Sequence, residues 1–316
     1  MLTRKRTAVM SLLCVLTMAL LGTAKTSLAS ERAGHPADDG KLRIIVFGAH
    51  PDDCEIKAGG TAALWAAQGH HVKFVSTTNG DIGHAETAGG PLAKRRTAEV
   101  KEAAKVLGIE CEVLDIHDGE LMPTLENRKT FVRLIREWKA DIVMGHRPND
   151  YHPDHRYTGI LMQDAAYMVT VAFFCPDVPQ LAKNPVFLYL SDNFQKPTPF
   201  DPAIVVGIDS VYDKKMDAIW KLQSQIESLW ATGDFEKVVP VPTDPAAREQ
   251  RRRQVAERFA ARDRRVADKY RHQLIEDYGP EKGAAVRCAE AFELCEYGRQ
   301  PSPEELKALF PIQAGR

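Results

Sequence analysis

The 316-residue chain is 44% hydrophobic and 27% charged, with 42 basic against 43 acidic residues, a formal net charge of −1 and six cysteines. That length suits one α/β domain with elaborations, and the balanced charge argues against a protein that binds nucleic acid or another polyanion over its whole surface. No two cysteines stand in Cys-x-x-Cys spacing, and an odd number remains after the first, Cys14, so neither a thiolate metal site nor a disulfide framework is expected. Cys288 and Cys295 are spaced too far apart to pair within one helix. Arg4, Lys5 and Arg6 precede an apolar run over residues 8–24, and Ser27-Leu28-Ala29 offers small residues for cleavage. Residues 1–29 therefore read as a signal peptide and the protein as exported, periplasmic or secreted, with no membrane attachment after cleavage; an uncleaved anchor is the alternative. Residues 30–40 are polar with Gly and Pro, as a linker is. One domain is expected over 41–316, its catalytic part over about 41–210 and a mainly helical extension over about 211–316.

From residue 41 to 169 the pattern alternates strand and helix, which indicates a parallel sheet. Strands are predicted over 42–47, 71–77, 112–116 and 141–145. Between them come helices over 61–68, 92–107 (stopped by Gly108) and 124–139 (capped by Thr124). Right-handed crossovers order these strands 3-2-1-4, with the first and fourth adjacent across a topological switch point. Further on, strands are expected over 186–190 and 203–208 and a helix over 211–229. Residues 248–271 are rich in Arg, but Val255, Phe259, Val266, Tyr270 and Leu274 recur at helical spacing, so a packed helix with a solvated basic face is the better reading than a nucleic-acid site. Ser302-Pro303-Glu304-Glu305 is a capping box that starts a short terminal helix.

Two polar clusters carry the chemistry. Gly48-Ala49-His50-Pro51-Asp52-Asp53 follows the first strand, and Tyr151-His152-Pro153-Asp154-His155 follows the fourth. His50 and Asp53 lie three apart across a turn partly fixed by Pro51, so both can reach one cation, whereas Asp52 cannot easily point the same way. A catalytic metal site usually takes three protein ligands and keeps a position open, and the second cluster supplies the candidates for the third. A lone His-Pro-Asp is more often a solvated turn. Two such clusters, each at the carboxyl end of a strand in one open sheet, fit a ligand site better. A metal-ligand set beside a free carboxylate suits hydrolysis, since a divalent ion acidifies water and a nearby base takes its proton.

Ala49-His50-Pro51-Asp52-Asp53 together with His152-Pro153-Asp154-His155 resembles the PIG-L (LmbE-like) family of metal-dependent deacetylases, over roughly residues 43–169. The resemblance implies a Rossmann-like, mostly parallel α/β sheet with helices on both faces, here with a C-terminal helical extension. It also implies removal of N-acetyl groups from N-acetylglucosamine-containing substrates. By that resemblance His50, Asp53 and His155 match the metal ligands, Asp52 the general base, and His152 the group that stabilises the oxyanion or protonates the leaving amine, with Asp154 orienting His152. Many members carry Glu directly after the second Asp, whereas Cys54 stands here and Glu55 follows, as in the bacillithiol-pathway branch. Arg96 resembles a substrate-contacting Arg, and Asp118 stands where an acidic substrate contact is common. Composition alone adds Asn79 and Asp81 as sugar-hydroxyl candidates and Arg147 as a residue that could close over a polyol or phosphate, each weighed against a plain turn role.

The expected cofactor is one divalent metal, Zn2+ first, with Fe2+ or Co2+ suited to the same ligands. A dinucleotide is excluded, because the first turn lacks Gly-x-Gly-x-x-Gly and holds carboxylates where pyrophosphate would sit. The expected partner is a small amino-sugar substrate. An amidase acting on another amide, such as a thiol conjugate, and a secreted sugar-binding protein with a structural metal are the alternatives; the latter gives Asp52 no role.

Overall fold

The computed structural model describes residues 39–229 and 239–312; the expected signal peptide and nearly all of the linker lie outside them. Seven strands form one sheet in the order β3-β2-β1-β4-β5-β7-β6. The first five, β1 (Arg43–Gly48), β2 (His71–Ser76), β3 (Glu110–Val113), β4 (Ile142–Gly145) and β5 (Val186–Leu190), pair in parallel. The order 3-2-1-4 is the one the crossovers require, with Ile44 of β1 opposite Val72 on one flank and Ile142 on the other.

β1 is buried on both faces, and its alternate side chains feed two cores. Ile44 and Val46 pack with Trp65, Val100, Leu107 and Ile219, under the helices α1 (Asp53–Ala67), α2 (Gly90–Leu107) and α5 (Tyr212–Ile219). Ile45 and Phe47 face α3 (Leu125–Trp138) and α4 (Pro153–Met168), where Phe47 stacks on Phe131 at 4.4 Å between ring centres. Gly108 closes α2 in the left-handed region and the Thr124 side chain caps α3 by accepting from Asn127 N–H. Among the described residues no helix is long and apolar enough to cross a membrane.

Three differences from the sequence expectations have physical reasons. Helix α1 starts at Asp53 rather than near residue 61, so Asp53 occupies the first helical turn; the polar Asp-Asp-Cys-Glu start hides it from periodicity, yet Cys54, Ile56 and Ala58 are all buried. Gly48 permits this sharp approach, since a β-carbon there would come 2.8 Å from Asp53 Cβ and 2.9 Å from Cys54 Sγ. The single helix expected over 211–229 is interrupted: α5 ends at Ile219, and a π-helical turn, Ser224–Leu229, begins where the Ser224 N–H and hydroxyl both donate to Glu99. The expected C-terminal part, reached through β6 (Ile204–Gly207), contains α6 (Pro245–Lys269), α7 (Arg271–Tyr278), α8 (Pro280–Ala285) and α9 (Pro303–Leu309), the last with the capping box at Ser302. It also contains a ten-residue strand, β7 (Ala289–Gly298), antiparallel to both β5 and β6. Cys295 therefore lies in a strand, not a helix, and all five described cysteines are free thiols.

Candidate metal centre

The carboxyl ends of β1 and β4 are neighbours, so topology alone brings the two clusters together. Three side-chain atoms from them form a nearly equilateral triangle. His155 Nε2 is 3.2 Å from His50 Nδ1, and each nitrogen is 3.5 Å from Asp53 Oδ2. A tetrahedral ion bonded at about 2.0–2.1 Å spaces its ligands roughly 3.3 Å apart, so this donor set fits one divalent ion. His152 also comes within 4.8 Å of His50 and His155, as does His146 of Asp53 and His155. The first triad remains the best fit, because His152 Nδ1 already accepts the Asp154 N–H in capping α4, and His146 Nε2 accepts the Ala49 N–H.

Each ligand is held from behind. His155 Nδ1 lies 3.1 Å from Asp150 Oδ1, and His50 Nε2 lies 3.0 Å from Asp118 Oδ1 and 3.3 Å from Asp154 Oδ2, so acidic groups face the outer nitrogens and leave the inner ones to the centre. Asp53 Oδ2 accepts the His50 N–H at 2.8 Å. His146, fully buried and stacked on His155 at 4.0 Å, backs the same ring. Burial pushes His146 down to about 3, so it is neutral. Burial also opposes charge on His50, but Asp118, Asp154 and Asp53 together raise it well above the ordinary imidazole range. Asp53 runs the other way: burial raises it, yet His155 holds it well below the carboxylate range. The carboxylates of Asp53, Asp118, Asp150 and Asp154 stand against these imidazoles, an arrangement that favours a cation.

Asp52 is 4% exposed and turns away from the triad toward α2, where Arg96 Nη2 donates to its Oδ2 at 3.0 Å. Burial raises its pKa and Arg96 opposes the rise. The guanidinium is anchored on its other side as well. Arg96 Nη1 donates to the Gly80 carbonyl at 3.0 Å, and Gly80, at φ 67°, has no room for a β-carbon against it. His152, half-buried, sits edge-on to His50 at 4.6 Å, and burial lowers its pKa. With Nδ1 accepting, the neutral ring carries its proton on Nε2.

Several sequence expectations change here. Arg96 grips Asp52, and Asp118 faces His50. The Asp154 carboxylate lies against His50 and accepts from the Gly119 and Leu121 N–H groups; it does not orient His152, which touches the Asp154 backbone instead. Asn79 and Asp81 brace their own loop, Asn79 against Asp115 and Asp81 against His117 and the Asp118 N–H. Arg147 is held by bonds to Asn149, Glu293 and the Thr198 carbonyl. His146 and Asp150 were missed, although His146 directly follows β4 as the first cluster follows β1.

Fold and site together define an open α/β protein with a His/Asp cluster that could hold a metal ion at the carboxyl ends of β1 and β4. Residues 45–166 match the PIG-L family, described as GlcNAc-PI de-N-acetylase. The chain is 31% identical over 210 residues to diacetylchitobiose deacetylase of Thermococcus kodakarensis, a match covering 63% of this chain and 76% of that one. It is 28% identical over 197 residues to 4-oxalmesaconate hydratase of Pseudomonas putida, covering 59% and 74%. Among solved structures, N,N'-diacetylchitobiose deacetylase from Pyrococcus horikoshii aligns with a TM-score of 0.59 at 23% identity, over 80% of this chain and 83% of that one, which supports the shared fold. The chain belongs to the PIG-L family.

Proposed function

We propose that the protein is a metal-dependent N-deacetylase that hydrolyses the acetamide of an amino sugar or its conjugate to acetate and a free amine. The observation that carries the reading is the buried Asp52 carboxylate beside a complete ligand triad yet outside it, held by Arg96. His50, Asp53 and His155 would hold the ion, which when bound acidifies water and polarises the acetyl carbonyl. Zinc suits the His/Asp/His donors, and iron(II) or cobalt would serve the same set. Asp52 takes the proton of the attacking water; burial raises its pKa, which makes the carboxylate a stronger base. His152 Nε2–H donates to the oxygen that gains charge as the carbonyl is attacked. The proton gathered by Asp52 then leaves on the amine, so that charge balances.

The 28%-identical relative named as a hydratase sets the competing reading. Hydration adds water across a double bond and releases nothing, whereas deacetylation releases acetate and amine in equal amounts. Purified protein incubated with N-acetylglucosamine and diacetylchitobiose should release both in a metal-dependent way; metal-loaded protein that releases neither from any N-acetyl sugar contradicts the proposal. We also propose export, supported by the basic start, the apolar run over residues 8–24 and the small residues up to Ala29. Mass spectrometry should find a mature terminus near Ser30, and recovery of intact Met1 in a soluble cytoplasmic pool would refute it.

A further inference from the structure

Helix α6 carries the basic stretch that the centre itself does not use. Much of its charge is paired: Arg248 and Arg252 meet Glu227, Arg253 meets Glu249, and Arg264 meets Glu257. Arg262, Arg265 and Lys269 stand apart. They follow one another at i, i+3 and i+7, on one stripe of the helix, and all three line a cavity of about 340 Å3 walled by Phe200 and Tyr270 and by Asp192 just after β5. Neither Arg262 nor Arg265 has an ion-pair or hydrogen-bond partner among the described residues. The acid in the cavity, Asp192, is already 3.1 Å from Arg147 Nε.

The cavity adjoins the metal centre. It opens at the carboxyl end of β5, beside β4, and two residues beyond Asp192 the Phe194 ring lies 6.2 Å from Tyr151, whose own ring meets both His152 and His155. Lys57 of α1 feels the charges of both places: burial lowers its pKa, Asp53 and Asp150 at the centre and Asp192 at the cavity oppose the fall, and Arg262 adds to it. It is half-buried and has no ion-pair partner among the described residues.

We infer that Arg262, Arg265 and Lys269 form an anion subsite that receives a carboxylate or phosphate ester borne by the amino-sugar substrate while its acetamide lies at the metal centre. The unpaired guanidiniums supply bidentate donors suited to either group, and Phe200 and Tyr270 supply apolar wall for a sugar ring. The subsite rests on the deacetylase reading for the sugar and on the cavity alone for the charge.

The test compares N-acetylglucosamine, N-acetylmuramic acid and N-acetylglucosamine 6-phosphate on wild type and on the double variant Arg262→Gln/Arg265→Gln, whose melting temperature is checked first. Wild type should turn over at least one anionic sugar with a KM about 10- to 100-fold below that of the neutral one, as expected for charge-assisted hydrogen bonds; which of the two gains identifies carboxylate or phosphate. The double variant should lose that advantage with kcat, and the KM of the neutral sugar, unchanged. Equal KM values for all three sugars in wild type, or equal losses for all three in the variant, overturn the subsite. If no N-acetyl sugar is hydrolysed, the deacetylase reading falls and calorimetric binding decides the subsite by itself. Saturable binding of N-acetylmuramic acid or inorganic phosphate that weakens at least tenfold in the variant supports it; absent binding, or binding equal in both proteins, overturns it.

Discussion

His50 presents Nδ1 to Asp53 and His155 because Asp118 and Asp154 face its Nε2, and His155 presents Nε2 because Asp150 faces its Nδ1. The orientation of both imidazoles is set by the acids that face their outer nitrogens. Asp150→Ala should accordingly weaken metal affinity about 10- to 100-fold, measured by chelator competition on folded protein, with the ligands themselves intact; an affinity within threefold of wild type would remove the positioning role. Glu55, 3% exposed and one residue past Cys54, makes a different prediction. Burial raises its carboxyl to about 8, with Asp52 and Asp53 adding to the rise. The folded metal-free protein therefore binds a proton that the unfolded chain has released above its ordinary 4.5, and this group's contribution to stability falls as pH rises between those two values. Across that window the loss is on the order of 3–5 kcal/mol. In metal-free protein Glu55→Gln should flatten the decline in urea titrations between pH 5 and 8; an unchanged slope would show that Glu55 ionises normally. The ligands were legible in the sequence because both clusters are local motifs at strand ends. The roles of Arg96 and Asp154 were not, since each acts on a residue 44 or 104 positions away whose direction depends on the fold.

At the scale of elements, α1 is held at two points along its length. Its first turn carries Asp53, and its middle is tied to the carboxyl-terminal part by a buried charge network. Lys215 of α5, fully buried, lies 2.7 Å from Asp263 of α6 and 3.0 Å from Glu290 of β7. Glu290 also accepts from the Gly60 and Thr61 N–H groups and the Thr61 hydroxyl. Burial disfavours the Lys215 charge, but Asp263 and Glu290 hold its pKa above the ordinary value. Lys215→Met would leave two buried carboxylates facing each other, at a cost of about 3–5 kcal/mol in denaturant unfolding; a loss under about 1 kcal/mol would mean that water already reaches the network. Strand β7 depends on the same long-range pairing. Its alternation of Ala289, Ala291 and Phe292 with Glu290 and Glu293 is a weak strand signal, and its partners β5 and β6 lie about a hundred residues earlier, so only the folded sheet reveals it.

Across the whole molecule, the parallel half of the sheet supplies the metal centre, while α6 and the loop after β5 supply the cationic cavity beside it. The parallel order was readable because short right-handed crossovers leave few alternatives. The cavity was not, since the same arginines on a solvated face would give an identical sequence pattern. The proposed function turns on the buried carboxylate of Asp52, held by Arg96 outside the His50/Asp53/His155 set, as the base for hydrolysis. The most direct measurement is acetate release by Asp52→Asn, with bound metal quantified in the same sample. The expected result is wild-type metal content with a rate lowered about 10²- to 10⁴-fold; full metal content with an unchanged rate would contradict the account.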